Sequence, residues 1–255
     1  MLTDERKEII LEMVREKKTV SVAELRDQLQ VSESTIRRDM AELAARGDIR
    51  RIFGGAVFLP EDASAEEIAE EPTDDEKKQG MIRIARTAAE LIRPGDRVYI
   101  DSGHTVRMVI AYLTEKDAEY VTNSLPAAAK LGAAGFKTTL IGGSMNGTGS
   151  VTVGADAILG VQKNRFSIGF FGADGVSVSM GFTTAGVREG LVRRTAAAAT
   201  VSARRFFLIT KEKFGVSRTV TFATLGSGII LTDAEPPEEI ARVQEVRVVK
   251  LGLSE

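Results

Sequence analysis

Seven short apolar runs between residues 97 and 249 constrain the fold of this chain more than any other feature. They are Arg97–Asp101, Tyr120–Thr122, Thr138–Ile141, Ser167–Phe171, Phe206–Ile209, Gly228–Leu231 and Val246–Val249. Stretches with helical spacing, such as Val106–Leu113, Pro126–Leu131 and Val187–Ala199, lie between several of them. A chain that alternates in this way builds a mostly parallel sheet covered by helices, because every parallel connection has to carry the chain back along the sheet. The expected class is α/β, and the arrangement in this larger part is Rossmann-like.

The first sixty residues follow another pattern. Ile9, Ile10, Met13 and Val14 share one face of a first helix, with Thr3 as its expected N-cap. Ser21 caps a short second helix with Val22, Leu25 and Leu29 as its apolar positions. Ser32 caps a third, in which Ile36, Met40 and Leu43 turn inward and Gly47 marks the end. Only a tight turn separates the second and third helices, which is the spacing of a helix-turn-helix. Ser34, Thr35, Arg37 and Arg38 fall on the exposed N-terminal part of the third helix, where a recognition helix meets base edges in the major groove. Hydroxyls reach bases or phosphates, and arginine grips guanine or phosphate with two donors. Asp48 to Gly55 then alternates as a short strand pair, placing Arg50 and Arg51 where a wing would meet the DNA backbone. These sixty residues carry 11 Lys/Arg and 11 Asp/Glu, a balance that also suits a protein-interaction module with solvated arginines.

Charge marks the boundary between the two parts. Residues 61–76 hold nine acidic residues and no basic one, with Pro60 and Pro72 nearby, and such a run reads as a solvated linker. The expected organisation is a winged helix-turn-helix over residues 1–58, an acidic linker over 59–76 and an α/β domain over 77–255. A hydrophobic fraction of 43% in 255 residues is enough to fill both cores. With no cysteine and one histidine, the chain has no disulfide, no thiol nucleophile and no histidine-rich metal centre, so neither cofactor nor metal is expected. No apolar run approaches the roughly 20 residues that span a bilayer. The opening MLTDERKEII is charged at once and lacks a secretory apolar core, so the cytoplasm is the expected compartment.

In open α/β sheets, ligands bind beyond the carboxyl ends of the strands. Glycine-bearing and polar turns fall there repeatedly: Asp101-Ser102-Gly103-His104-Thr105, then Asn123, Gly142-Gly143, Gly172-Ala173-Asp174-Gly175 and Lys213. Glycine lets backbone N–H groups approach an anion, and the hydroxyls add partners for phosphate. Any one of these turns is weak testimony. Their convergence on one rim suggests a site for a phosphorylated sugar or polyol.

The stretch VSESTIRRDMAELAARGDIRRIFGGA, from Val31 to Ala56, resembles the signature of the DeoR family of bacterial transcriptional regulators. Phe53 stands where the family often has histidine. In the larger part, Asp101 to Thr105 resembles the family's Asp-x-Gly-Thr-Thr, and Val121 to Ser124 its Val-Thr-Asn-Ser. Gly142-Gly143, Gly172 to Gly175, Gly181 to Thr184 and Thr232-Asp233 also fit. The resemblance implies that Ser32, Ser34, Thr35, Arg37 and Arg38 face operator DNA. It also implies a sensor domain folded like ribose-5-phosphate isomerase and glucosamine-6-phosphate deaminase, and hence a repressor of carbohydrate genes controlled by a sugar phosphate. One helix-turn-helix reads few base pairs, so a homodimer or homotetramer on repeated half-sites is expected. The competing reading is an isomerase or deaminase joined to a DNA-binding module, with Asp101 or Asp174 as general base.

Two motifs of the larger part depart from the family pattern. His104 replaces the first threonine of the phosphate turn, and Asp-x-Ser-Lys-Phe-Gly reads Thr210-Lys211-Glu212-Lys213-Phe214-Gly215. A histidine beside a phosphate gains charge as pH falls, so effector affinity is expected to strengthen toward about pH 6. Titrating the parent and His104→Thr across that range checks this, and equal affinities would remove the idea.

Overall fold

The apolar faces of the helices and strands find their partners in three clusters, one in the N-terminal part of the chain and two in the larger part. The computed structural model describes residues 3–17, 19–46, 48–52, 55–58, 75–146 and 150–249. They divide into two units, Met1–Glu61 and Asp62–Glu255.

In the N-terminal unit, α1 (Thr3–Lys17), α2 (Val22–Leu29) and α3 (Glu33–Arg46) bury their periodic faces together. Ile10, Met13 and Val14 meet Val22 and Leu25 of α2 and Ile36, Met40 and Leu43 of α3. Thr3, the expected cap, is the first described residue of α1, and its side chain lies outside the described residues. Ser21 does cap α2: its hydroxyl accepts from Glu24 N at 3.1 Å while the Glu24 carboxylate accepts from Ser21 N at 2.8 Å. Gln30 takes the left-handed conformation, with φ 54°, and turns the chain tightly into α3.

The wing is three-stranded and antiparallel, in the order β1 (Thr19–Ser21), β3 (Gly55–Phe58), β2 (Ile49–Ile52). Gly55 crosses Val20 so closely that a Cβ would lie 2.2 Å from its carbonyl oxygen. Phe53 and most of the acidic stretch lie outside the described residues, but Asp75 and Glu76, its last two members, open a helix.

A buried ion pair ties α1 to α3. Arg6 Nη2 donates to Asp39 Oδ1 at 3.1 Å and Nε donates to the other oxygen, a two-pronged pair in which Asp39 is 1% exposed. Removing one partner strands the other charge in the core. Asp39→Ala should therefore destabilise the N-terminal unit by about 3–5 kcal/mol, read from urea unfolding of that transition. A loss below about 1 kcal/mol, the value of an exposed pair, would contradict it.

In the larger unit the elements follow in order: α4 (Asp75–Glu90), β4 (Arg97–Ile100), α5 (His104–Met108), β5 (Glu119–Thr122), α6 (Leu125–Ala133) and β6 (Lys137–Leu140). A small hairpin follows, β7 (Ser144–Met145) and β8 (Thr152–Val153), then α7 (Ala155–Gln162), β9 (Ile168–Phe171), β10 (Gly175–Ser177) and β11 (Gly181–Thr184). The chain ends its described part with α8 (Val187–Ala198), β12 (Arg205–Ile209), β13 (Val220–Ala223), β14 (Ile229–Thr232), α9 (Glu238–Ala241) and β15 (Glu245–Val248). All seven expected strands join one parallel sheet in the order β15-β14-β12-β9-β4-β5-β6.

Alternate residues of each strand serve opposite faces. Val98, Ile100, Phe170, Phe206 and Leu208 pack with Ile84 and Ala88 of α4 on one side. Tyr99, Phe171, Phe207 and Ile209 pack with Val192 and Ala196 of α8 on the other. Because both faces are buried at β4, β9, β12 and β14, these strands read as almost unbroken apolar runs.

The chain leaves β4 toward β5 and β6, then returns to β9 and proceeds the other way, so the order reverses between β4 and β9. That reversal is the place where ligands bind in such sheets. A second antiparallel sheet, β10-β11-β13, was not evident in the sequence. It stacks Phe182 on Phe207 with ring centroids 3.7 Å apart. No helix among the described residues is long and apolar enough to cross a membrane.

Candidate functional site

The N-terminus of α3 carries a chain of hydroxyls. Ser32 Oγ accepts from Thr35 N at 3.3 Å, capping the helix as expected, and lies 2.8 Å from Ser34 Oγ and 2.9 Å from Thr35 Oγ1. Along the next turn the arginines are open to solvent: the side chains of Arg37 and Arg38 are 54% and 79% exposed. Each is held only loosely, Arg37 by Glu33 at 3.5 Å and Arg38 by Glu42 at 3.7 Å. Exposed pairs of this kind contribute about 0–1 kcal/mol, so a phosphate or a guanine edge can replace them. Facing α1, Asp39 is fixed by Arg6, and Glu42 pairs with Lys7 of α1 as well as with Arg38. The backbones of Arg50 and Arg51 pair with Val57 and Ala56 in the wing; their side chains fall outside the described residues.

Parallel strands send all their carboxyl ends to one edge, and there the predicted ligand turns gather. At the reversal point Gly172 N donates to Asp101 Oδ2 at 3.0 Å, joining the turn after β4 to the turn after β9. The same carboxylate lies 2.7 Å from Arg193 Nε of α8, and Arg193 Nη2 donates to Ser102 Oγ at 3.3 Å. Gly103 precedes the short α5, whose first residues are His104 and Thr105. Asn123 Oδ1 accepts from the Tyr99 hydroxyl and its Nδ2 donates to Thr152 O, each at 3.0 Å. Asp174 Oδ2 accepts from Thr184 Oγ1 and Ala185 N, each at 2.9 Å.

Gly143 takes φ +150°, and a Cβ there would sit 2.8 Å from Val153 O, whereas Gly142 faces open space. A Cβ on Gly175 would lie 2.4 Å from Val216 O, so the segment after Lys213 rests directly on the Gly172–Gly175 turn. Asp101, Asn123 and Asp174 are thus buried and engaged within the protein. They shape the rim, along which Gly142 and the half-buried His104 and Lys213 also lie.

Lys213 follows β12 in the turn Lys211–Lys213. Burial, reinforced by the charge of Arg218, pulls its ammonium down from 10.5 to about 7. Burial pushes the neighbouring Glu212 up, but the hydrogen bond and charge of Lys77, with hydrogen bonds from its own backbone N–H and from Thr210, together hold that carboxyl below its usual range. Lys77 Nζ lies 2.7 Å from Glu212, and Lys211 Nζ is 2.7 Å from Glu76, so the first turn of α4 is tied to this turn twice.

Sequence reasoning missed Arg193, Arg218 and the buried Glu189, whose carboxylate accepts from Asn146 Nδ2 at 2.9 Å. The spacing of Glu189 and Arg193 beside Val192 and Ala196, one turn apart on the buried side of α8, was the available signal.

Residues 6–61 match the DeoR-like helix-turn-helix domain, and residues 75–234 match the DeoR C terminal sensor domain. The chain belongs to the DeoR family. It is 30% identical to the uncharacterized HTH-type transcriptional regulator FruR of Bacillus subtilis, over 98% of this chain and 99% of that protein. The glycerol-3-phosphate regulon repressor of Escherichia coli is 29% identical, with 96% of each chain covered. The lactose phosphotransferase system repressor of Streptococcus mutans is 26% identical, over 96% of this chain and 98% of that one. Membership decides between the competing readings: this DeoR-family protein is a DNA-binding transcriptional regulator, and the isomerase or deaminase alternative falls.

The depressed lysine has a consequence for stability. Between about pH 7 and 10.5 the unfolded chain keeps the Lys213 proton that the folded chain has lost. Stability conferred through this group therefore rises with pH across that window. In urea unfolding near the two ends of the window, Lys213→Met should lose this part of the slope and gain most over the parent at the lower pH. An identical slope in both proteins would contradict the assignment.

Proposed function

We propose that this regulator represses carbohydrate-metabolism genes in the cytoplasm by setting α3 into the major groove of operator DNA. A phosphorylated sugar or polyol, bound at the rim beyond the sheet, alters that docking. The observation that carries the DNA half is the capped hydroxyl cluster Ser32, Ser34 and Thr35 beside the exposed Arg37 and Arg38, on a helix anchored from behind by Arg6–Asp39. Arg50 and Arg51 of the wing contact the phosphate backbone. The sensing half rests on Ser102 to Thr105, Gly142, Asp174 and Lys213, and is supported by relatives named for glycerol-3-phosphate and for the lactose phosphotransferase system.

A homodimer or homotetramer places two such helices on repeated half-sites. The effector acts by binding one arrangement of the paired modules more tightly than another.

Arg37→Ala and Arg38→Ala should each cost about 1–3 kcal/mol of specific affinity if they read bases, with weaker salt dependence if they read phosphate. Fluorescence anisotropy with duplex from upstream of the gene measures this; parent-like binding by both variants rejects α3 as the reading helix. For the sensing half, a screen of sugar and polyol phosphates should yield one that, at about 100 times its dissociation constant, adds about 2.7 kcal/mol of stability.

A further inference from the structure

We propose that Arg218 is the specificity-determining residue that selects a phosphorylated effector over a neutral sugar, receiving the phosphoryl oxygens together with Lys213. The inference rests on the sensing reading above and adds to it the residue that enforces the anionic class.

Three observations place Arg218 at the rim. Its backbone N donates to Thr183 Oγ1 at 3.0 Å, and that hydroxyl donates to Gly175 O at 3.1 Å. The residue before it, Ser217, meets Ser177 with hydroxyl oxygens 2.8 Å apart. Gly215 N donates to Val176 O at 2.8 Å, and Gly175 accommodates Val216 only because it lacks a Cβ. The whole segment from Lys213 to Arg218 is thereby clamped onto the turn that carries Asp174.

The guanidinium itself is half-buried and incompletely satisfied. Its Nε is buried without a hydrogen-bond partner, and among the described residues no carboxylate pairs with it. By contrast Arg204 is held by Asp96 and Arg193 by Asp101. A half-buried cation that lacks an internal anion is costly unless an external one completes it. Arg218 also helps depress Lys213, which stands five residues before it on the same clamped segment. A phosphate dianion offers three acceptor oxygens, enough for the two-pronged guanidinium and an ammonium at once.

The test uses the full chain and inorganic phosphate as probe, at constant ionic strength, with thermal unfolding as readout and far-UV circular dichroism to confirm folding. Phosphate should raise the parent's melting temperature, and Arg218→Gln should bind it about tenfold or more weakly. Arg218→Lys, which keeps the charge but loses the fork, should fall between; should the glutamine variant not fold, a several-fold loss in the lysine variant decides for the proposal. If the folded variants respond to phosphate as the parent does, the proposal is overturned while the sensing reading stands. If the parent answers neither phosphate nor any of a panel of sugar phosphates, both fall together.

Discussion

Covering the parallel sheet on both faces dictates where everything polar can go. With α4 and α6 against one side and α7 and α8 against the other, the middles of the central strands are filled mostly by apolar side chains. Polar chemistry is pushed to the ends of the strands, and parallel pairing collects those ends on one edge. The reversal of strand order between β4 and β9 then sets two turns side by side at the place where such sheets bind ligands. The hydrogen bond from Gly172 to Asp101 joins these two turns, and Arg193 pairs with the same carboxylate. A buried arginine against a buried aspartate is weak as a source of stability but strict about geometry. It fixes the turn that precedes α5.

Much of this was legible in the sequence because each strand announces itself. Arg205–Ile209 and Ile229–Thr232 are nearly solid apolar runs with turn residues on both sides. The antiparallel sheet was not legible, since Gly175–Ser177 and Gly181–Thr184 carry one large apolar side chain apiece. Val176 and Phe182 gain their meaning only from the second core cluster. Wing strand β1 is three residues long, too short to show a period.

The candidate site was legible in position more than in role. The turns at Asp101, Asn123 and Asp174 do meet at one rim, yet their side chains are spent on Arg193, Tyr99 and Thr184. Long-range partners of this kind leave no local pattern: Arg6 and Asp39 are 33 residues apart, and either alone reads as a solvated charge. Arg193 lies within a helix rich in arginine, where its burial is concealed by exposed neighbours such as Arg188 and Arg194. The exposure of Arg37 and Arg38 on α3 was easier to read, because it follows directly from the apolar period of the other face.

The two ion pairs from Glu76 and Lys77 to Lys211 and Glu212 bind the turn bearing Lys213 to the opening of α4. That helix begins where the acidic segment ends. Gly80, one turn further on, lies so close to Asp233 that a Cβ would stand 2.1 Å from its carboxylate, while Asp233 Oδ1 also receives Lys211 N at 3.2 Å. The turn bearing Lys213 and the first turns of α4 are therefore a single mechanical joint. It is hinged on partly exposed charges that each hold by about 1 kcal/mol or less, a latch soft enough for small forces to reset.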